Sequence, residues 1–436
     1  MVPQRYHYFT REGVNLAVDP SSLILYKLEP QSHRPWAGKR YQPISIATPS
    51  NRQLDEERNR IYEKSQLSSG YCYLNISHDC NMKCAYCFAS GGAYGASEGL
   101  MSKELARKAV DWILQSSTGK QIALNLFGGE PLVNASTTYD TIEYAITKCQ
   151  ELNRNLSIIL STNGTIDLIQ IEEMLQSIHH WIAVSIDGGP AIQNINRPFS
   201  NGEGSYDVIA QNIRKYIVRF GPSKISARAT WRRFQSQLVQ PVMDLIALGT
   251  RNVYIGRATA FGKDLHQSEH INDVRDFDEM LTAYDILGTW YANILNDGQR
   301  IIVQPMQSIM STILKSNIRR YRCTAGFNKW CIVPDGNVYP CHRFVGDEKF
   351  IIGHVSCASS AGILPPDLKN TALPESCDEC WVRYWCDSDN CTYLGAIKQD
   401  LRRQDGFCDH MRSFIEMACF HVARLSEGGR ETLLTT

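Results

Sequence analysis

Three cysteines, Cys80, Cys84 and Cys87, follow an apolar strand-like run, YCYLNI, in the order C-x3-C-x2-C. Thiols this close must be bridged, buried or given to metal. The chain carries fifteen cysteines. Cys72 and Cys149 join these three in the first 322 residues, and the other ten lie between Cys323 and Cys419. In a secreted miniprotein such density means disulfides; in a long chain whose N-terminus, MVPQRYHYFTREG, lacks a signal-peptide core, clustered cysteines are read as metal ligands. A cytoplasmic setting is therefore expected. Formal net charge is zero, which gives no electrostatic ground for nucleic acid or an anionic membrane as partner. No apolar run approaches the roughly 18–20 residues of a membrane span.

The 436 residues suit two or three domains. Residues 6–28 read as a β-hairpin (YHYF, VNLAV) with a third strand in SSLILYKL, and the polar stretch 49–66 as a linker or exposed helix. From Gly70 to Ile255 strand-like runs (YCYLNI, QIALNLF, LSIILSTNG, WIAVSIDGG, KISARAT, NVYIG) alternate with amphipathic helices. That alternation implies a parallel sheet with right-handed crossovers, a partial (β/α)6 TIM-like barrel whose active site lies at the C-terminal strand ends. The expected division is a small β-containing region over residues 1–66, the α/β barrel over 67–300 and a cysteine-rich domain over 301–436.

Three thiolates can hold three irons of a [4Fe–4S] cluster and leave the fourth iron open for chemistry. Zinc is the alternative, with His78 as a fourth ligand. Downstream, Phe127-Gly128-Gly129-Glu130-Pro131 ends the second strand, Ser161-Thr162-Asn163-Gly164 the third and Ser185-Ile186-Asp187-Gly188 the fourth, followed by Asn196-Arg197-Pro198. Each could be only a turn or helix cap. The triple cysteine with the aromatic Phe88 behind it, together with these strand ends, resembles the radical S-adenosylmethionine (SAM) superfamily. The resemblance implies that Cys80, Cys84 and Cys87 bind a catalytic [4Fe–4S] cluster, with Phe88 beside it. Gly128, Gly129 and Glu130 would take the SAM amino group. Ser161 and Asn163 would meet its ribose, Asp187 would lie nearby, and Arg197 or Arg228 would pair with its carboxylate.

In the second block Cys323, Gly336 and Cys341 follow C-x12-G-x4-C, and Cys377, Cys380, Cys386 and Cys391 follow C-x2-C-x5-C-x4-C, with Cys408 beyond. Paired zinc ribbons fit the C-x2-C alone. The whole block resembles the SPASM extension of peptide-modifying radical SAM enzymes, which holds two auxiliary [4Fe–4S] clusters. By that resemblance Cys323, Cys341 and Cys391 ligate the first, and Cys377, Cys380, Cys386 and Cys408 the second. The spacing before Cys391 is four residues where that family usually has three. Cys331 is extra, a fourth ligand or a buried structural thiol, and the buried reading is preferred. Cys72, Cys149, Cys357 and Cys419 fit no motif.

The stretches HDCNMKCAYCFASGGAYG, LNLFGGEPL, PFSNGEGSYDVI and VYPCHRFVGDEKF are together similar to maturases that install thioethers in cysteine-rich (SCIFF and related ranthipeptide) precursors. This implies a ribosomally made precursor peptide and a flavodoxin- or ferredoxin-type reductant as partners. It also suggests that an N-terminal element binds a leader. Sulfatase-maturing relatives usually carry aspartate as a base after the GNVYPC cysteine. Here that residue is His342, which could itself serve as a base. Carbon–carbon crosslinking, epimerisation or side-chain oxidation of a peptide are the alternatives, with a non-catalytic metal protein behind them.

Overall fold

The computed structural model describes residues 6–28, 42–45, 54, 56–57, 60, 69–94, 99–232, 237–258, 274–318, 323–357, 377, 379–386 and 406–436. The chain opens on an antiparallel sheet of β1 (His7–Arg11), β2 (Val14–Asp19), β3 (Ile24–Leu28) and the two-residue β4 (Gln42–Pro43). Glu12 and Gly13, both at positive φ (46° and 76°), make the two-residue turn that the REG signal foretold. Most of the expected linker, 49–66, lies outside the described residues.

All six expected barrel strands form: β5 (Ser69–Ser77), β6 (Gln121–Gly128), β7 (Asn155–Thr162), β8 (His179–Ser185), β9 (Ile225–Trp231) and β10 (Asn252–Arg257). They pair in parallel and in chain order. Along each, alternate residues face opposite ways. Cys72, Leu74 and Ile76 of β5, with Leu124 and Leu126 of β6, are buried in the main apolar core. Tyr71 and Tyr73 of β5 and Asn125 and Phe127 of β6 take the other face, the lumen. The intervening helices are α1 (Lys103–Ser116), α2 (Ala135–Glu151), α3 (Ile169–Leu175), α4 (Pro190–Asn196), α5 (Tyr206–Phe220) and α6 (Val239–Ala247). The Ser102 hydroxyl caps α1 by accepting the Leu105 amide at 3.1 Å. The apolar stripe of α1 includes Trp112, edge-on to Trp330 at 5.5 Å.

The sheet does not stop at residue 300. After the long helix α7 (Val274–Asn296), β11 (Ile302–Gln304) pairs in parallel with β10. Beyond α8 (Met306–Leu314), β12 (Lys329–Ile332) pairs in parallel with the opposite edge strand, β5. Then β13 (Asn337–Tyr339) and β14 (Gly353–His354) follow antiparallel, giving ten strands in one sheet. Arg228 on β9 acts electrostatically on Tyr73 of β5. A flat sheet would hold strands four steps apart at about 19 Å, so the sheet curls round a lumen.

The helix α9 (Phe407–Ala423), followed by α10 (Glu427–Thr435), packs on α7 and α8. A Cβ at Gly288 of α7 would meet the His421 ring of α9. The N-terminal sheet is tied to this layer. Arg11 pairs with Asp285 at 2.6 Å, His421 meets the same carboxylate at 2.9 Å, and His7 stacks on Trp381 at 3.8 Å.

Between α3, β8 and α5 lies a polar knot. The buried Glu172 carboxylate accepts the Tyr216 hydroxyl at 2.7 Å and lies 3.0 Å from His180 Nε2. Glu172→Ala strands both partners in the core and should cost on the order of 3–5 kcal/mol, read from urea unfolding, while Glu172→Gln should recover part of it. An Ala variant as stable as the parent would show that the knot does not hold these elements together.

Candidate active site at the mouth of the barrel

The loop carrying Cys80, Cys84 and Cys87 leaves the C-terminal end of β5 and is gripped from two sides. On one, the Gly129 amide donates to Ser77 O at 2.8 Å and the Glu130 amide to Asp79 O at 2.9 Å. On the other, Lys83 donates to Pro198 O, Ala85 to Asn196 O, and Ser200 to Asn81 O. A Cβ on Gly128, which has φ 129°, or on Gly129 would collide with the carbonyl oxygens of Ser77 and Asp79. The two glycines are thus required by contact with the cysteine loop itself.

Glu130 is wholly buried. Its carboxylate accepts the Leu132 amide (3.0 Å), the Thr162 hydroxyl (2.8 Å) and the Asn163 amide (2.6 Å). Burial pushes the acid up to about 7 against the pull of these donors. The carboxylate therefore staples the end of β7 to the cysteine loop. Asn163 continues the chain of bonds: its Nδ2 donates to Asn81 Oδ1 at 2.7 Å and lies 3.8 Å from Cys80 Sγ. The Ser161 hydroxyl, in the lumen, donates to Asn125 Oδ1 at 2.9 Å.

Asp187 and Arg197 turn toward the loop. The Tyr86 hydroxyl donates to both oxygens of Asp187 (2.7 and 2.9 Å), which also accepts Asn196 Nδ2 and the Thr230 amide. Arg197 Nη1 donates to the Tyr86 hydroxyl at 2.9 Å. The Asp187 carboxylate is thus occupied within the protein. Arg197 lies beside Cys84, whose thiol burial raises and this guanidinium pulls back down. Arg228 stands elsewhere, its guanidinium 4.6 Å over the Tyr254 ring in the lumen.

The donor set fits a metal cluster. Burial pushes the Cys80 thiol up to about 12, and the negative charges of Glu130, Cys84 and Cys87 add to it. Ionised together the three would repel one another, and a compact, highly charged cation such as iron would hold them as thiolates. Among the described residues, no three His, Cys, Asp or Glu side chains form a group set to hold a metal ion.

Phe88 faces Phe127 at 6.5 Å and His342 at 5.9 Å. His342 also packs on Tyr73 at 4.1 Å and on Phe127 at 5.3 Å. It keeps some surface open to the lumen. Its depth, then the charges of Arg343, Lys329 and Arg228, hold the imidazole well below its usual range.

In the second cysteine block, Cys331 is buried, and its surroundings include two other thiols. Cys331 and Cys341 share one small core with Tyr339, Phe344 and Phe350, and the partly buried Cys323 packs against it. Cys377, Cys380 and Cys386 are partly buried, and Cys408 is exposed in the first turn of α9. Cys391 lies outside the described residues. Cys72, Cys149 and Cys419 are buried in the main core, away from the motifs.

Residues 74–226 match the family model of the radical SAM superfamily. This chain carries a radical SAM domain. The cofactors of such a domain are a [4Fe–4S] cluster and SAM. Among curated relatives, the cysteine-type anaerobic sulfatase-maturating enzyme of Clostridium perfringens is 23% identical over 368 residues, covering 78% of this chain and 94% of its own. The radical SAM cyclopropyl synthase TigE of Paramaledivibacter caminithermalis is 24% identical over 387 residues, 83% of this chain and 76% of its own. The solved structure of anSMEcpe with bound AdoMet and the Cp18Cys peptide superposes with a TM-score of 0.67 at 19% identity, over 81% of this chain and 98% of that one. Streptococcus suis SuiB bound to its precursor peptide SuiA gives 0.52 at 12% identity, over 91% and 97%. These likenesses establish a shared radical SAM fold.

The sequence reading missed Tyr86 and the lumen set of Tyr73, Asn125 and Lys329. The two-residue alternation of YCYLNI held the signal for the tyrosines.

Glu130→Gln keeps the shape but turns an amide NH2 toward a donor. Stability should fall by about 1–3 kcal/mol, read by urea unfolding, and SAM retention in equilibrium dialysis should weaken. Parent-like values in both would remove Glu130 from its role as the staple.

Proposed function

We propose that the chain is a radical SAM enzyme that oxidatively modifies a ribosomally made peptide, joining a cysteine sulfur to a carbon of the same peptide. One juxtaposition carries this reading. Phe88, next to Cys87, and His342, next to Cys341, meet edge to face at 5.9 Å, which supports placing the two cysteine sets close to one chamber. The bound cluster and SAM would supply the 5′-deoxyadenosyl radical that takes a hydrogen atom from the peptide. Cys80, Cys84 and Cys87 hold that cluster, and Cys323, Cys341 and Cys391 serve a first auxiliary cluster, with Cys331 beside Cys323 and Cys341. Cys377, Cys380, Cys386 and Cys408 serve a second. Arg197, Asp187 and Glu130 set the loop and strand ends. Phe88, Gly128, Gly129, Ser161 and Asn163 border the SAM pocket. Residues 67–300 then form the catalytic barrel and 301–436 the auxiliary domain, with reducing equivalents arriving from a flavodoxin- or ferredoxin-type donor in the cytoplasm.

Sulfatase maturation is the second reading, favoured by the names of several relatives. It needs a proton acceptor near the substrate. His342, at the position in question, is surrounded by positive charge.

The product decides between them. Anaerobically reconstituted enzyme should bind about 12 irons, three four-iron clusters, and form 5′-deoxyadenosine with dithionite and SAM. A cysteine-bearing precursor should lose two hydrogens and one alkylatable thiol together. Formylglycine from a sulfatase-derived peptide, or a two-hydrogen loss with every thiol still alkylatable, would sink the thioether reading.

Among the described residues β1 pairs with β2 alone, which makes its other edge the candidate for strand addition by a leader peptide. Deleting residues 1–10, which removes most of β1 and spares the buried Leu16, Val18, Leu23, Leu25 and Ile44, should weaken precursor binding and leave SAM cleavage intact; unchanged binding would count against leader recognition there.

A further inference from the structure

Two cations stand in the lumen with no carboxylate paired to them among the described residues. Arg228 projects from β9, exposed, with its guanidinium 4.6 Å over the Tyr254 ring. Lys329 opens β12 in register with Tyr71, and its Nζ lies 5.4 Å from the Tyr71 ring and 5.3 Å from the Tyr73 ring. One comes from the barrel and the other from the cysteine-rich segment, on opposite sides of β5 in the sheet. Both face the same side of the curled sheet and are close enough to Tyr73 and His342 to act on them electrostatically. Neither forms an ion pair among the described residues, whereas Arg107 and Arg219 on the outer helices are matched to Asp140 and Glu173.

Positive charge gathered on one concave face focuses field and draws an anion. Arginine and lysine on tyrosine faces are held ready to grip a carboxylate. Of the two arginines named from sequence as SAM partners, Arg197 is the one beside Cys84, and Arg228 belongs with Tyr73 and His342. We propose that Arg228 and Lys329 form a clamp for an acidic side chain, Asp or Glu, of the substrate peptide, close to the residue that is modified. This rests on the peptide-modifying reading and adds the substrate's chemistry to it.

The test uses the full, anaerobically reconstituted chain and two capped hexapeptides, Ac-Gly-Cys-Gly-Asp-Gly-Gly-NH2 and its Asn twin, with binding read by equilibrium dialysis in the presence of SAM. The Asp peptide should bind about tenfold more tightly, the scale of one charge-assisted pair. Arg228→Gln and Lys329→Met should each erase that preference, Arg228→Lys should restore part of it, and SAM affinity should hold within about twofold. Equal binding of the twins, or binding of neither, overturns the clamp. So does an Arg228→Gln variant that loses SAM affinity while keeping the Asp preference, since the guanidinium then serves the SAM carboxylate. An Asp preference without any two-hydrogen loss in the peptide would leave the clamp standing and discard the thioether reading. Two-hydrogen loss of equal extent in both twins, bound equally, would do the reverse.

Discussion

The Glu130 carboxylate, wholly buried, holds the Leu132 amide, the Thr162 hydroxyl and the Asn163 amide at one point, while its own amide is bonded to Asp79 O. The mouth of the barrel depends on this arrangement. Strand β7 cannot shift without breaking bonds to the acid, and the acid cannot shift without moving the backbone that grips the cysteine loop. An unsatisfied carboxylate in this position would be strongly destabilising, so the network forms as a whole or not at all. Gly128 and Gly129 belong to the same constraint, because only residues without a Cβ let the two backbones come this close.

On the other side of the loop, Tyr86, Asp187 and Arg197 make a second brace. The loop is therefore clamped between the ends of β6 and β8, with its three thiols partly buried. A site prepared in this way meets the repulsion among three thiolates with fixed structure on both flanks, and Arg197 offsets part of the charge at Cys84. The protein supplies geometry and electrostatics, and the chemistry belongs to the cofactors.

Much of this was legible before any coordinates. Strand–helix alternation revealed all six barrel strands because each is a short run rich in apolar residues bounded by turn residues, a local property. The triple cysteine and Gly128-Gly129-Glu130 were visible for the same reason. What stayed hidden is long-range. That β12 would add to β5, and β11 to β10, depends on how the sheet closes, and no periodicity within KWCI or IVQ encodes a partner. Asp187 and Glu130 were read as SAM contacts from their place at strand ends. Their partners, Tyr86 and the end of β7, lie 101 and 32–33 residues away in sequence. The company that Cys331 keeps with Cys323 and Cys341 is likewise a fact of the β12–β13 hairpin rather than of spacing.

The addition of β12 to β5 has a chemical consequence. It brings Lys329 and Cys331 onto the lumen face beside Tyr71 and Tyr73, and the turn after β13 sets His342 over Tyr73. The cysteine-rich segment therefore supplies part of the chamber wall as well as cysteines. That wall is aromatic and cationic, with Arg228 opposite. Such a lining leaves positive charge without a paired carboxylate among the described residues, and charge so placed gains when an anion settles against it. A chamber built from both halves of the chain can respond to its occupant on two fronts at once, since the group that settles between Arg228 and Lys329 also lies against His342, the side chain linking the two cysteine sets.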